Sequence, residues 1–505
     1  MLKTGGQTPL ALILRFSSFV LLLVCAFEFV LPSRSFAQLS IPGKLITYRT
    51  RDLDSGEELQ QSRSWQVSDA KGARELTATT YAVGTEVLSE CTFANGFAHS
   101  ATMFRSIMRS KTGELERSDF DTFDPQYYPF LAKPMAPNAQ PGACVSKSAL
   151  DLPKLVGGGQ IETWIWSDAG SVGAIFRPEE NEKLTVPAGS FDALRVRIDL
   201  DLSKVFPHVP ELFLMLVKPH FTIWITRAEP YYVLKMAGFG TPNSKLHKNT
   251  VTELASIGEL TANDSKTPVE LAQADSAGEQ QSLNTINSGS FTQGDRTGHV
   301  TFARASTPGG DLLVARVAFS NGLATESRTL IDHGASPATL YLDDRSFASS
   351  GAIVRKHLIF FRKASFPDDP QKDLPADLYG ADMTLGALLP RLLPEGSDEA
   401  SFHVMDFSGE VTELTIHRDG MVTVALGGDD TRAIHAKLRP IVDIPILLRP
   451  LAYFFTPTFD AYFDADSSHR LLKFEGPLGP PGVPNATMLA DEKLSGSEGQ
   501  RFPIH

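Results

Sequence analysis

The sequence predicts a mainly β protein: two tandem antiparallel, partly open β-barrel (half-barrel) domains with a few short helices. Three observations predict it. Apolar and polar residues alternate with a period of two through much of the chain, turn-forming residues separate the alternating stretches, and marked residues recur at one constant offset.

The N-terminal end reads as a secretory signal peptide over residues 1–37. Lys3 and Arg15 precede an apolar run at 16–31, and a polar stretch ends in Ser35-Phe36-Ala37, where cleavage is expected. The run contains Glu28 and falls short of the roughly 20 apolar residues a membrane helix needs, so an uncleaved anchor is the weaker alternative. Cys25 follows Val24 rather than a small residue, which argues against lipid attachment. A periplasmic or secreted location is therefore expected, with at most peripheral membrane contact.

Strands are expected at residues 45–51, 75–80, 161–166, 195–202, 312–319, 354–361, 413–417 and 421–425. Two more carry the clearest alternation. Phe221, Ile223 and Ile225 interleave with Thr222, Trp224 and Thr226, and Phe459, Ala461 and Phe463 interleave with Asp460, Tyr462 and Asp464. Turns are expected at Asp54-Ser55-Gly56, Asn95-Gly96, Pro187-Ala188-Gly189, Asn321-Gly322 and Asp419-Gly420, because these residues tolerate the positive φ of tight turns. Helical spacing is scarce, with short helices expected at 148–156 and at 381–393, the second interrupted by Pro390.

Residues 261–298 are rich in Ser, Gln, Asn, Gly, Asp and Thr and poor in large apolar side chains, so they are expected to be a disordered linker. The domains are then 38–260 and 299–490, followed by a flexible tail at 491–505. Across the linker the halves match at an offset of 238 positions: Pro207 with Pro445, Pro219 with Pro457, Phe221 with Phe459, Trp224 with Tyr462, Lys235 with Lys473, Gly238 with Gly476. Gly189 meets Gly427 at the same offset. One shared spacing for prolines, glycines and aromatics is the mark of an internal repeat.

The stretch from Leu184-Thr185-Val186-Pro187-Ala188-Gly189-Ser190-Phe191-Asp192-Ala193, through a strand containing Trp224, to Pro230-Tyr231-Tyr232-Val233-Leu234-Lys235 resembles an uncharacterised family of bacterial periplasmic proteins. That family is similar to the lipoprotein-carrier fold, and the resemblance implies a half-barrel wrapped around a helical lid with an apolar cavity. It covers about the last third of the first copy. The second copy keeps the glycine in Val424-Ala425-Leu426-Gly427-Gly428 and loses the proline. Such a likeness speaks to fold and not to activity.

The formal charge is −12, and removal of Lys3, Arg15, Arg34 and Glu28 takes it to about −14. Phosphate repels such a chain, which excludes nucleic acid as the natural partner. Cys91 and Cys144 remain after the leader, and in an oxidising compartment they form one disulfide or stand as two thiols.

Two apolar segments bounded by the paired prolines, 209–217 and 446–455, read either as core or as lips at a barrel mouth. Phe213, Met215, Tyr453 and Phe454 lie on them, and with Trp164, Trp166, Trp224 and Tyr462 they are the candidate ligand contacts, the bland alternative being core filling. Asp460, Asp464, Asp466 and His469 carry donor atoms that cations use, but their spacing along a strand points them to solvent, so no metal is expected.

Thr329-Leu330-Ile331-Asp332-His333-Gly334-Ala335-Ser336 resembles the turn of retroviral-type aspartic proteases, with His333 where a hydroxyl residue belongs and no second such turn to complete a dyad. No nucleophile elbow, phosphate loop, Rossmann glycine pattern or zinc-protease motif is present, and no cofactor is implied. The expected function is thus non-catalytic: binding an apolar ligand, a lipid or lipoprotein acyl chain, or serving as an envelope scaffold with a protein partner. A hydrolase using Asp332 is the alternative from another class, and strand addition at an open sheet edge a third.

Overall fold

The computed structural model describes residues 41–69, 72–93, 101–124, 140–141, 144, 151–167, 170–201, 220–238, 250–261, 283–332, 339–361, 374–392, 397–405, 411–441, 458–465, 470–477 and 484–491. Its first strands are β1 (Lys44–Asp52), β2 (Glu58–Asp69), β3 (Gly72–Tyr81), β4 (Glu86–Phe93), β5 (Met103–Arg109), β6 (Leu115–Thr122) and β7 (Gln140–Pro141). After helix α1 (Leu152–Val156) come β8 (Ile161–Ser167), β9 (Gly170–Val186), β10 (Gly189–Asp201), β11 (His220–Thr226), β12 (Val233–Ala237) and β13 (Thr250–Glu259).

The later strands are β14 (Asn284–Gln293), β15 (Arg296–Thr307), β16 (Gly310–Phe319), β17 (Ala324–Ile331), β18 (Thr339–Phe347), β19 (Ile353–Phe360) and β20 (Leu378–Gly380). Helix α2 (Leu385–Leu392) precedes β21 (Glu399–Met405), β22 (Val411–Leu426), β23 (Asp429–Ile441), β24 (Phe459–Asp464), β25 (Leu471–Pro477) and β26 (Asn485–Ala490).

Local sequence explains these elements. In β1 the alternating Ile46 and Tyr48 are buried, and Asp52 ends the strand by accepting the backbone N–H groups of Asp54 and Ser55 at 2.9 and 2.8 Å. Gly56 completes that turn with φ of 74°. Strand β16 is covered on both faces: Leu313, Ala315, Val317 and Phe319 enter one apolar cluster, and Leu312 and Val314 enter another.

Two runs of strands have the same order. In the first, neighbours follow β7-β8-β9-β10-β11-β12-β13-β1-β2-β3-β4-β5-β6. In the second they follow β20-β21-β22-β23-β24-β25-β26-β14-β15-β16-β17-β18-β19. In each run only the first ladder is parallel. The runs join where β6 pairs antiparallel with β19, giving one 26-stranded sheet among the described residues.

The second run curls on itself. Phe302 of β15, Val317 of β16, Tyr379 of β20, Phe402 of β21, Ile416 of β22 and Phe463 of β24 all belong to one cluster, with Leu388 and Leu389 of α2 inside it. Residues far apart in the strand order can share a core only if the sheet wraps around the helix. Each large side chain buried there contributes about 2 kcal/mol.

Several expectations are corrected. Residues 284–298, expected within a linker, lie in β14 and β15. There Asn287, Phe291 and Gln293 are buried, and the Asn287 side-chain amide donates to the Leu471 carbonyl at 2.7 Å. Ladder hydrogen bonds to β15 and β26 stabilise a strand whose composition alone argues for disorder. Asp419-Gly420 is not a turn between two strands. It is an irregularity inside the single strand β22, where the register shifts between Arg418 and Gly420 and Gly420 takes φ of 122°. The matching hairpins are also shifted relative to the constant offset: Gly189 pairs with Val186 across the first, and Asp429 with Leu426 across the second, so Asp429 rather than Gly427 takes the place of Gly189. Asn95-Gly96 and the segments 209–217 and 446–455 lie outside the described residues.

Candidate functional site

Strand alternation sorts the expected aromatic contacts. Phe221, Ile223 and Ile225 are buried on one face of β11, and Trp224 stands half-buried on the other. It packs against the apolar cluster that includes Val186, Ala193, Leu234 and Leu254, its indole N–H donates to Glu182, and the Lys235 ammonium lies 5.2 Å from its ring centroid.

Tyr462 in β24 repeats the arrangement. It packs against Val424, Leu426, Ala433 and Leu472, with the Lys473 ammonium 5.3 Å from its ring centroid. Here His435 stacks on the ring at 4.6 Å, and its Nε2 lies 2.8 Å from Asp460. Trp164 is half-buried beside buried Ile165 on β8, and Trp166 belongs to the same strand. The structure thus brings Trp224 and Tyr462 into equivalent clusters on the face opposite the Phe221 and Phe463 side chains. Phe213, Met215, Tyr453 and Phe454 lie outside the described residues.

The junction between the runs is polar. Ser327, Asp344, His357, Asp119, Ser106 and Ser89 sit opposite one another, strand by strand, from β17 through β18, β19, β6 and β5 to β4. His357 is 238 positions from Asp119, the same spacing that separates the recurring prolines, glycines and aromatics of the sequence. Asp119 is 5% exposed, and its carboxylate accepts from Ser106 Oγ at 2.9 Å, from Arg117 Nε at 2.8 and 3.0 Å, and lies 2.9 Å from His357 Nδ1. Arg355 Nε donates to His357 Nε2 at 2.8 Å, so the arrangement fits a neutral ring with its proton on Nδ1. A buried carboxylate with this many donors is held in one geometry.

Beyond the junction, Ser327 Oγ donates to Asp344 at 2.7 Å. Burial pushes the Asp344 carboxyl up to about 7; Ser327 and Arg355 oppose the change, and Asp382 and Asp343 add to it. The opposite face of the same strands carries ion pairs. Arg316 and Arg328 both donate to Glu326, and Arg345 binds Asp343.

Each run is also fastened at one seam. In the first, Cys91 of β4 forms a disulfide with Cys144, just past β7; the Cα atoms are 5.8 Å apart and the sequence separation is 53. In the second, Thr329 Oγ1 of β17 lies 2.8 Å from Asp382 Oδ2, just past β20, again with a separation of 53. Thr384 Oγ1 lies 2.6 Å from Asp382 Oδ1 and 2.8 Å from Thr329 Oγ1, and its backbone N–H donates to Asp382 Oδ1 at 2.6 Å. The backbone N–H of Gly380 donates to Thr339 Oγ1 of β18 at 3.2 Å beside it. Burial raises the Asp382 carboxyl above its ordinary range, against hydrogen bonds from Thr384 and Thr329.

Asp332 follows β17 and is half-buried, and residues 333–338 lie outside the described residues. No cluster of metal-binding side chains occurs among the described residues, and no helix among them is long and apolar enough to cross a membrane.

Sequence reasoning found the cysteines and the repeated aromatics but missed the junction row and the Thr329, Asp382, Thr384 cluster. One signal was present for the cluster. Adding the constant offset to the two cysteine positions leads to Thr329 and Asp382.

No family model and no curated protein matches the chain. Among solved structures, a β-barrel-like protein of domain of unknown function DUF1849 from Brucella abortus is similar at 10% identity, with 44% of this chain and 100% of that chain covered and a TM-score of 0.28. A protein with a YmcC-like fold from Bacteroides fragilis is similar at 11% identity, covering 46% of this chain and 99% of that one, with a TM-score of 0.18. MucB, also solved in complex with MucA(peri), is similar at 11% identity over 68% of this chain and 92% of that chain, with a TM-score of 0.17.

Proposed function

We propose that this chain is an exported, non-catalytic protein made of two tandem copies of one curled sheet, at residues 41–260 and 284–490, which binds an apolar ligand at the envelope. The ligand is a lipid or a lipoprotein acyl chain. The observation that carries this reading is the doubled aromatic platform. Trp224 with Lys235 and Tyr462 with Lys473 stand at the same strand positions of the two runs. Each platform follows an apolar, proline-bounded segment, 209–217 or 446–455. An aromatic ring beside a lysine suits the boundary between acyl chain and headgroup, the ring meeting the apolar part and the ammonium the anionic part.

The duplication is supported by the shared strand order and by the self-pairing of β6 with β19. Placing the ligand on the outer face fits the second run's interior, which its own side chains and α2 occupy. Phe213, Met215, Tyr453 and Phe454 are then acyl contacts on the apolar segments, and Trp164 and Trp166 of β8 further ligand contacts.

Native mass spectrometry and solvent extraction of the purified full-length protein test the proposal. Lipid is expected to copurify, and Trp224→Ala with Tyr462→Ala should release it. A protein that carries no lipid and binds no apolar dye in either form refutes the ligand, leaving an envelope scaffold with a protein partner.

A further inference from the structure

The cluster at the second run's seam can be counted in protons. Asp382 Oδ1, Thr384 Oγ1, Thr329 Oγ1 and Asp382 Oδ2 form a cycle with successive O···O distances of 2.6, 2.8 and 2.8 Å. Each is a hydrogen-bond distance, and each bond needs its own hydrogen. The two threonine hydroxyls supply two, because a hydroxyl donates once. The third has to come from the carboxyl group.

We propose that Asp382 is held as a neutral acid in this ring: Oδ2–H donates to Thr329 Oγ1, Thr329 to Thr384, and Thr384 back to Asp382 Oδ1, which also accepts the Thr384 backbone N–H. The ring is a latch that fastens β17 to the segment after β20, and base releases it. When Asp382 loses its proton to solvent, both hydroxyls turn toward the carboxylate and the bond between Thr384 and Thr329 is lost. Thr329 and Thr384 are 0% and 1% exposed, so no solvent molecule replaces that bond without opening the seam.

Among the described residues, the Asp344 carboxyl on β18 interacts with Asp382, and Arg355 on β19 acts in turn on Asp344; Tyr379 on β20, three positions before Asp382, interacts with Asp332 at the end of β17. The described core-facing residues of α2, Leu388 and Leu389, are apolar. Burial raises Asp382, in agreement with the proton count. The sign follows from linkage. A carboxyl raised in the folded protein stabilises it below its ordinary range, and that contribution is lost as pH rises through the folded value.

The test uses the full chain and its Asp382→Asn and Asp344→Asn variants. An asparagine can keep Oδ1 accepting from the Thr384 hydroxyl and backbone N–H while Nδ2 donates to Thr329 at any pH, so Asp382→Asn should keep the acid-pH unfolding midpoint and flatten its decline toward alkaline pH. Infrared difference spectra should show a protonated carboxylic C=O band at neutral pH that survives Asp344→Asn, which separates the two acids and reports on native Asp382 even if Asp382→Asn folds poorly. Absence of that band from Asp344→Asn, or a pH decline unchanged in Asp382→Asn, overturns the latch.

Discussion

The run β1–β13 and the run β14–β26 share a strand order but close their seams with different chemistry. One uses a covalent bond between Cys91 and Cys144, the other hydrogen bonds among Thr329, Asp382 and Thr384, each pair separated by 53 positions. The contrast teaches that the backbone arrangement asks only for some tie between the third strand from the end of the run and the segment after the parallel edge strand. A covalent tie acts mainly by restricting the unfolded chain, whereas a buried polar cluster acts in the folded state and is sensitive to protonation.

Three perturbations break or sharpen that comparison. The largest effect is expected from Cys91→Ser with Cys144→Ser. Closing a loop of this length is worth about 4 kcal/mol in chain entropy, so denaturant unfolding should show a loss of that order from the first run. If the midpoint does not move, the bond is not a closure.

Next comes the junction the runs share. Asp119→Ala removes the acceptor of Ser106, Arg117 and His357 together, leaving buried donors without it. A loss of about 3 kcal/mol is expected, with both runs destabilised in one transition. Two transitions, only one of them shifted, would show that β6 and β19 do not couple the runs.

The smallest effect concerns pH. The Asp344 carboxyl rises from 3.8 to about 7 through burial, so its protonated form stabilises the fold. That contribution is full below about pH 4 and lost as pH rises through about 7. Asp344→Asn should leave stability at acid pH nearly unchanged and raise it above neutrality, read from thermal midpoints across the range. A greater loss at alkaline than at acid pH would reverse the sign.

Much of the β architecture was legible from local pattern, because alternation such as Phe221, Ile223, Ile225 records a sheet with one buried face. The shared order of the two runs has its sequence signal in the prolines, glycines and aromatics that recur at one offset. Strand β14 was not legible, since Asn284, Asn287, Ser288 and Ser290 have the composition of a linker and gain their order from pairing with the adjacent β15 and the distant β26. The junction was hidden for the same reason. No strand was expected at residues 115–122, and nothing local says that its partner lies more than two hundred positions away. Gly420 misled because a glycine with positive φ serves a bulge as well as a turn. Trp224 was recognisable as a site candidate, but which face it occupies depended on the tertiary curl.

The equivalence of the two seams is the claim that can be tested most directly. Replacing Thr329 and Asp382 together by cysteine in the whole chain, produced in an oxidising compartment, places thiols where the first run has Cys91 and Cys144. Intact-mass and peptide mapping should find a second disulfide joining the two new positions, formed without added oxidant alongside the native one. Two free thiols in a folded protein that keeps its native bond would contradict the account.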